Sequence, residues 1–312
     1  MTVTPDLTTN LSRISLAAAQ HVAPYLRSVA RTSPETYTKR DIHDPVTVHD
    51  RHVEKQLRSI LGAAVPGSRV LGEEYGEETL PSPTVEETAA LKTILGDEES
   101  LAALQNVAEL GKRTRWIVDP IDGTANFASG MTYFGTSIAA ELDGKVVAGV
   151  VTIPCMFEAF VADAHRFWHV DRDGRETPLT ADGPSEENQA LIASYYPGIS
   201  AYEENMEKAA RRERTLLSTY STLRRPGAAA LDLAQVAAGW IGVSMGVSFG
   251  PWDVAAGLHM VRVAGGNVLN LQMGTDLPDG LRPAQVSSGR NLDAVTAKGI
   301  LYEVEKEVLG NL

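Results

Sequence analysis

The chain has 312 residues, of which 43% are hydrophobic and 22% are charged, and its formal net charge is −12. This composition excludes a wholly disordered protein, and the negative charge argues against binding to nucleic acid or to an anionic membrane, both of which would repel it. The length corresponds to about two domains. The single cysteine, Cys155, excludes an intramolecular disulfide and a thiolate zinc cluster, and it fits a reducing compartment.

The N-terminal residues predict neither a secretory signal nor a membrane anchor. Asp6 precedes any apolar run, and the run over 16–19 is too short for a signal sequence. No stretch approaches 18 consecutive apolar residues, so no transmembrane helix is predicted. We therefore expect a cytoplasmic protein.

The first half of the chain reads as helices followed by a run of strands. Apolar residues at helical spacing predict helices over 8–31, 50–62, 84–95 and 98–110. Pro24 is expected to kink or divide the first of these. The acidic excursion over 77–113 is interpreted as a solvated helical insertion between two strands. Strands, rich in β-branched and aromatic residues, are predicted at 69–72, 116–118, 136–142, 145–153, 158–162 and 167–170.

After about residue 188 the pattern changes to alternating strands and helices. Strands are predicted at 190–194 and 267–270, and helices at 201–212, 228–238 and 253–264. Consecutive strands without helices imply an antiparallel sheet in the first part, and the alternation implies a more parallel layer in the second. We place a boundary near residue 188, which gives an N-terminal unit of 1–188 and a C-terminal unit of 189–312.

The most informative segment ends the strand predicted at 116–118. Asp119 and Asp122 stand three residues apart around Pro120, which restricts the backbone of its neighbour. Such a turn can direct both carboxylates and the carbonyl of Ile121 towards one volume. Three converging oxygen donors suit a hard cation such as Mg²⁺.

A phosphate could bind beside that cation. Gly123 and Thr124 follow at once, where the next helix would begin, and backbone N–H groups at a helix N-terminus bind phosphate oxygens. An Asp-x-x-Asp pair alone, however, is more typical of a turn and helix cap.

Two further acidic positions strengthen the metal interpretation. Glu73 and Glu74 close the strand predicted at 69–72, and Asp253 stands in the first turn of the helix predicted at 253–264. Taken alone, Asp253 is also typical of a helix-capping acid.

At these residues the chain resembles the inositol monophosphatase family of metal-dependent phosphomonoesterases, within the fructose-bisphosphatase-like superfamily. The resemblance covers most of the chain. It runs through Lys39, Asp44-Pro-Val46-Thr47-Val-His-Asp50, Gly72-Glu73-Glu74, Asp119-Pro-Ile-Asp122-Gly-Thr124-Ala-Asn126-Phe127, Gly227-Ala-Ala229 and Trp252-Asp253-Val-Ala-Ala-Gly257. With the predicted elements, it implies an α/β (α+β) fold, a layered αβαβα sandwich with an antiparallel N-terminal sheet and a smaller mixed or parallel C-terminal sheet.

The resemblance also implies a site with two or three Mg²⁺ ions. By this comparison the first ion has as ligands Glu73, Asp119 and the carbonyl of Ile121. The second has Asp119, Asp122 and Asp253, and Glu73 also helps to hold a third, looser ion. Cations placed in this way suit the in-line displacement of a phosphoryl group.

The remaining site residues are implied by the same comparison. Thr124, paired with Asp50, resembles the group that orients the attacking water beside Glu73. The phosphate and substrate residues implied are Asp122, Gly123, Thr124, Gly227 and Ala229. The expected partner is a small phosphorylated metabolite, and the family leads us to expect a homodimer.

One position departs from the family. An acid often lies seven residues before the aspartate of the Trp-Asp motif and contacts substrate hydroxyls, whereas this chain has Gly246 there, and residues 233–252 contain no charged side chain. Because buried hydroxyls need hydrogen-bond acceptors, the leaving group stays open. The excursion over 77–113 looks longer than the usual connection and could be a lid or an interface.

The leading hypothesis is Mg²⁺-dependent hydrolysis of a small phosphate monoester, similar to inositol 1-phosphate. Histidinol phosphate and a sugar phosphate or bisphosphate are the alternatives, and 3′-phosphoadenosine is disfavoured because Ala125 and Asn126 stand where that branch usually has Lys-Gly. A non-catalytic metal- or phosphate-binding homologue is the alternative from another class.

Two other motifs carry no chemistry in our interpretation. The Gly-x-Ser-x-Gly matches at 242–246 and 246–250 are read as small-residue packing and a turn, since His259 is the only later histidine and a serine hydrolase triad cannot follow in order. His49 and His52 are interpreted as surface residues rather than zinc ligands.

Overall fold

The helices and strands are those of a computed structural model, which describes residues 5–31, 36–38, 45–95, 107–273 and 282–310. Up to residue 178 they are α1 (Pro5–Val29), β1 (Thr36–Thr38), β2 (Pro45–Thr47), α2 (Val48–Ala64), β3 (Arg69–Gly72), β4 (Gly76–Thr79), α3 (Val85–Leu95), a 3₁₀ turn (Ala108–Arg113), β5 (Thr114–Asp122), α4 (Thr124–Ala128), β6 (Gly135–Leu142), β7 (Lys145–Ile153), β8 (Glu158–Ala162), β9 (Phe167–Val170) and β10 (Glu176–Pro178). The rest are a 3₁₀ turn (Glu187–Gln189), β11 (Leu191–Ser194), α5 (Ile199–Glu204), α6 (Met206–Thr219), β12 (Thr222–Arg224), α7 (Ala229–Ala237), β13 (Val243–Gly246), α8 (Pro251–Val263), β14 (Asn267–Met273), β15 (Arg282–Ser288) and α9 (Val295–Gly310).

The larger sheet has the strand order β10-β9-β8-β7-β6-β5-β3-β4. Neighbouring strands are antiparallel except β3 and β5, which run parallel. Parallel neighbours need a long crossover, because a tight hairpin reverses the chain direction. The chain between β3 and β5 supplies that crossover, and it includes the predicted excursion over 77–113, whose first residues form β4 and whose residues 96–106 lie outside the described residues.

The smaller sheet is mixed and has the order β12-β11-β13-β15-β14. Strand β11 is parallel to both β12 and β13, whereas β15 is antiparallel to β13 and β14. The two sheets therefore match the predicted fold class, an antiparallel N-terminal sheet with a smaller mixed C-terminal sheet.

Three buried layers hold the sheets together. Side chains alternate across β5, so Trp116 and Val118 pack with α1 and α2, while Ile117 packs with α7 and α8 on the other face. Helices α6 and α9 cover the outer face of the smaller sheet. The order of layers is thus αβαβα, as expected. The division at about residue 188 stays a prediction, since α7 and α8 pack against both sheets.

Several local predictions were wrong. Pro24 does not divide the first helix, which continues through it to Val29, while the kink that was the other expectation stays a prediction. The helix expected at 201–212 is two helices, because Asn205 leaves the helical conformation and its side chain accepts the N–H of Lys208. The segment 243–246, read as packing and a turn, is strand β13.

The prediction also missed the last helix, α9, and the strands β1, β2, β4, β10, β12 and β15. Of the helix predicted at 98–110, residues 98–106 lie outside the described residues, and Ala108–Arg113 forms a 3₁₀ turn. No helix in the described part of the chain combines the length and the apolarity that a membrane span requires.

Candidate functional site

A β-bulge brings Asp119 and Asp122 to one face of the larger sheet. In a regular strand, residues three apart point to opposite faces. Here Asp119 pairs with Ser137, and Asp122 pairs with Gly135. Between these two pairs β5 contains one residue more than β6 does. The extra residue reverses the alternation and places both carboxylates on the same face.

Hydrogen bonds fix the bulge. The hydroxyl of Thr136 donates to the carbonyl of Pro120 at 2.9 Å, and the N–H of Ile121 donates to Oδ1 of Asp119 at 3.0 Å. The carbonyl of Ile121 accepts the hydroxyl of Thr124 at 3.0 Å. The backbone between the two aspartates is therefore held on both sides, which keeps their side chains in one orientation.

Asp122 also caps the N-terminus of helix α7, although Asp122 and Leu231 of that helix are separated by 109 positions in the sequence. Its Oδ2 accepts the N–H of Leu231 at 3.1 Å, and the N–H of Ala229 bonds to the same carboxyl group. A carboxylate at a helix N-terminus is favoured by the free N–H groups and the helix dipole. The amide of Ala229, predicted as a phosphate donor, is thus already engaged by Asp122.

Asn126 joins the α4 region to the segment before α7. Its Nδ2 donates to the carbonyls of Tyr133 at 2.7 Å and Pro226 at 2.8 Å. Gly227 adopts a φ of 85° and packs on the Asn126 amide, where a Cβ would lie 3.3 Å from it. Gly227 also lies close to Gly123, because a Cβ on Gly123 would stand 3.0 Å from the carbonyl oxygen of Gly227.

Glu73 is carried by a turn that a second glutamate holds. Glu54, buried on α2, accepts the N–H groups of Glu74 at 2.7 Å and Tyr75 at 3.3 Å. Its Oε1 also lies 2.7 Å from Nη2 of Arg58, a buried ion pair. A Cβ on Gly72 would stand 2.0 Å from that same Oε1, so only glycine permits this approach.

Asp50 and Thr124, predicted as a pair, are hydrogen-bonded. The Thr124 hydroxyl lies 3.1 Å from Oδ1 of Asp50, while Oδ2 accepts the N–H of Thr47 at 2.8 Å and its hydroxyl at 2.6 Å. Asp50 is fully buried. Burial first, then the negative charge of Glu73, raises the pKa of Asp50 to about 6, against the lowering effect of the bonds from Thr47 and Thr124.

Asp253 stands at the third position of α8. Its Oδ2 accepts the N–H of Gly250, the residue that precedes the helix, at 2.7 Å. The capping role considered for it is therefore present. Asp253 also acts on Asp119 and Asp122 through its charge, which places the N-terminus of α8 beside the bulge.

Four carboxylates from three separate parts of the chain thus influence one another. Burial first, and then the charges of Glu73, Asp122 and Asp253, raise the pKa of Asp119 well above its ordinary value. Burial and the charge of Asp253 do the same to Asp122, although the N–H of Leu231 opposes them. Gathering so many acids in a buried region is costly unless protons or cations neutralise them.

The oxygen donors are of the kind that a hard divalent cation prefers, but the carboxylates do not yet form a complete coordination shell for a metal ion. Across the described ranges, no three His, Cys, Asp or Glu side chains already stand in an arrangement that holds a metal ion. The carboxyl groups of Glu73 and Asp119 instead lie within hydrogen-bonding reach of each other, a contact that costs free energy unless a proton or a cation lies between them. Oxygen donors of this charge and hardness are those that Mg²⁺ prefers, and a cation would replace that proton.

Sequence reasoning missed the residues that support these acids. Glu54 has a signal in the sequence, since Arg58 follows it by one helical turn on an otherwise apolar face. Asp232 has none: it is fully buried and accepts the hydroxyls of Tyr133 and Tyr195, each at 2.6 Å. His49, read as a surface residue, is half-buried, and its Nδ1 is hydrogen-bonded to the Tyr25 hydroxyl at 2.7 Å.

The sequence and the fold of this chain are similar to those of known proteins. A model of the inositol monophosphatase family matches residues 7–303. The Nus factor SuhB of Pseudomonas aeruginosa is 31% identical over 256 residues, which cover 82% of this chain and 83% of that protein. The fructose-1,6-bisphosphatase/inositol-1-monophosphatase of Thermotoga maritima is 35% identical over 173 residues, 55% of this chain and 62% of that protein. The crystal structure of the extragenic suppressor protein suhB from Bartonella henselae has a TM-score of 0.68 and 28% identity, covering 91% of this chain and 95% of that chain.

Proposed function

This chain belongs to the inositol monophosphatase family, and on that premise we propose that it is a Mg²⁺-dependent phosphatase that hydrolyses a small phosphate monoester. Water attacks phosphorus, the ester P–O bond breaks, and the products are inorganic phosphate and an alcohol that receives the proton. The observation that carries the proposal is the gathering of Glu73, Asp119, Asp122 and Asp253 in mutual electrostatic reach.

The residues that would hold Mg²⁺ are these four carboxylates and the carbonyl of Ile121, for two or three ions in all. When bound, the ions supply positive charge that neutralises the carboxylates and the phosphate and activates water. The bulge holds Asp119 and Asp122 on one face, so both ligands are pre-oriented before the cation arrives.

Thr124 and Asp50 would position the attacking water. Asp50 is held by two bonds from Thr47, so its remaining oxygen presents a fixed acceptor to the Thr124 hydroxyl. That hydroxyl stands beside the Ile121 carbonyl and can direct its own oxygen to a proton of the water. Glu73, whose charge acts on Asp50, lies close enough to share this role.

The phosphate would be bound by the start of helix α4, at Gly123 and Thr124. Gly123, with a φ of 89°, and Thr124 begin the short helix α4, and Gly227 lies against them. Because Asp122 already accepts the amides of Ala229 and Leu231, we assign to Ala229 a supporting role. The amides of Gly123 and Thr124 are then the donors for the phosphate oxygens.

The relatives include inositol-1-monophosphatases and a fructose-1,6-bisphosphatase/inositol-1-monophosphatase, so phosphate esters of cyclic alcohols and sugars are the first candidates to test. Histidinol phosphate remains the other alternative. We further propose a homodimer in the cytoplasm. A non-catalytic role is the alternative of another class, and it has one supporting observation, that a relative is named a Nus factor.

The test is phosphate release from a panel of monoesters at saturating Mg²⁺, with and without EDTA. Asp119→Asn should abolish turnover, whereas Asp143→Asn, which alters an exposed ion pair with Arg113, should leave it intact. Release that survives EDTA, or an Asp119→Asn variant with near-wild-type activity, would refute the proposal. Absence of hydrolysis with every ester would favour the non-catalytic alternative.

A further inference from the structure

The wall that leads into the Asp253 helix is uncharged and aromatic. The stretch 233–252 contains no charged side chain, and it ends one residue before Asp253. Its last part runs along β13 and then turns into α8. This part of the chain therefore borders the carboxylate cluster at Asp253, whose charge acts on Asp119.

Phe249 fills the space that a side chain at position 246 would need. A Cβ on Gly246 would lie 2.3 Å from Cζ and 2.6 Å from Cε2 of Phe249, and 3.1 Å from Cβ of Tyr195. The Phe249 ring is buried and meets the Tyr195 ring edge-on, at 5.5 Å between centroids. An acid at position 246 therefore has no room unless the aromatic ring leaves.

Trp252 packs against Gly250 in the same way that Phe249 packs against Gly246. A Cβ on Gly250 would lie 2.4 Å from Cε2 of the indole ring. Trp252 is half-buried and directly precedes Asp253, a proposed metal ligand. Two glycines thus let two aromatic rings lie against the backbone of the wall.

Asp232 is a buried carboxylate whose partner Tyr195 also borders Gly246, and it is already hydrogen-bonded. Both oxygens of Asp232 accept tyrosine hydroxyls, one from Tyr133 and one from Tyr195. Burial first, then the negative charges of Asp232 and Asp122, raise the pKa of both tyrosines, which places these rings beside the carboxylate cluster. Each oxygen of Asp232 therefore already has a hydroxyl donor, and the residue is fully buried, so it is a poor acceptor for the hydroxyl groups of a polyol.

From these contacts we infer that the leaving group of the substrate presents an apolar or aromatic face to Tyr195, Phe249 and Trp252, rather than a ring of hydroxyl groups. The inference rests on the proposed phosphatase function. Hydroxyls buried without acceptors are penalised, while a flat hydrocarbon face packs well against aromatic rings. The wall would accept a cyclic or aryl-bearing alcohol and discriminate against a polyol of equal size.

The test compares myo-inositol 1-phosphate with cyclohexyl phosphate, which has the same ring without the five hydroxyls, and with benzyl phosphate. All three leave as alkyl alcohols, so their intrinsic reactivities are similar. We expect kcat/KM for cyclohexyl and benzyl phosphate to exceed that for myo-inositol 1-phosphate by about 10- to 100-fold, the range that an apolar pocket can supply.

A variant locates the preference. Phe249→Leu should reduce the ratio of benzyl to inositol activity by about fivefold or more, mainly through KM for benzyl phosphate, because the aromatic contact is lost. Phe160→Leu is the matched control: this buried phenylalanine stacks on Phe167 in the same core layer, and its loss should leave the ratio unchanged. The ratio is measured within one protein sample, so reduced stability cancels.

The outcomes separate the two proposals. Hydrolysis with equal or higher kcat/KM for myo-inositol 1-phosphate would overturn the leaving-group inference and leave the phosphatase function standing. An equal change of ratio in both variants would also overturn it. Failure to hydrolyse any of the three esters, or other monoesters, would remove the proposed function and this inference with it.

Discussion

Replacing Glu54 by glutamine should destabilise the protein through the turn that carries Glu73. Glu54 is fully buried and holds the Arg58 guanidinium at 2.7 Å as well as the N–H group of Glu74 at 2.7 Å. Glutamine keeps the volume but removes the charge, and its amide presents N–H donors to groups that are themselves donors.

The magnitude follows from the partners that remain. Breaking a buried ion pair costs about 3–5 kcal/mol, because the other charge stays buried. Arg58 keeps the carboxylate of Glu78 at 2.8 Å and the carbonyl of Gly76 at 2.6 Å, so we expect the lower end of that range. A loss of about 3 kcal/mol corresponds to a fall in Tm of roughly 5 °C for a chain of 312 residues, because the entropy of unfolding is about 2.1 cal/mol/K per residue.

The assay is thermal and urea unfolding of the metal-free protein, with Glu77→Gln as the control. Glu77 forms more exposed ion pairs with Arg69 at 3.1 Å and Arg115 at 3.0 Å, so its replacement should cost less than about 1 kcal/mol. The Glu54 variant should also need more Mg²⁺ for half-maximal stabilisation, since Glu73 loses its support. Equal Tm values for the two variants would show that the buried pair does not hold this turn.

Three further predictions concern the same region. Gly72→Ala should destabilise the protein by about 1–3 kcal/mol, because its methyl group would meet Oε1 of Glu54; an unchanged urea midpoint would contradict this. Asp119→Asn should raise the stability of the metal-free protein at pH 8, because it removes a charge that burial and three neighbouring acids disfavour, and it should abolish stabilisation by Mg²⁺; a less stable metal-free variant would contradict the reasoning. Burial raises the pKa of Asp232 to about 7, so this group favours folding below about pH 4 and loses that contribution as the pH rises to 7. Relative to Asp232→Asn, the wild type should lose about 4 kcal/mol between pH 4 and pH 8 in EDTA, by urea unfolding; a parallel pH profile for the two proteins would count against it.

The local pattern was sufficient for features that depend on residues close together in the chain. The run of strands from 136 to 170, the helix α2 and the crossover before β5 follow from periodicity and turn residues, which act within a few positions. The strands β1, β2, β4, β10, β12 and β15 were not predicted. All but β15 have only three or four residues, and strands this short are defined by their pairing partners.

The acidic motif and its metal chemistry were readable in the same way, since Asp119 and Asp122 stand on either side of one proline. Only the folded chain decided what surrounds them. The bulge against Ser137 and Gly135 turns both aspartates to one face, and Leu231 reaches Asp122 from a distant helix. Such contacts join residues far apart along the chain, and no sequence period records them. For the same physical reason, a glycine at position 246 says only that an acid is missing there, while the packed structure alone tells that a phenylalanine ring has taken its place.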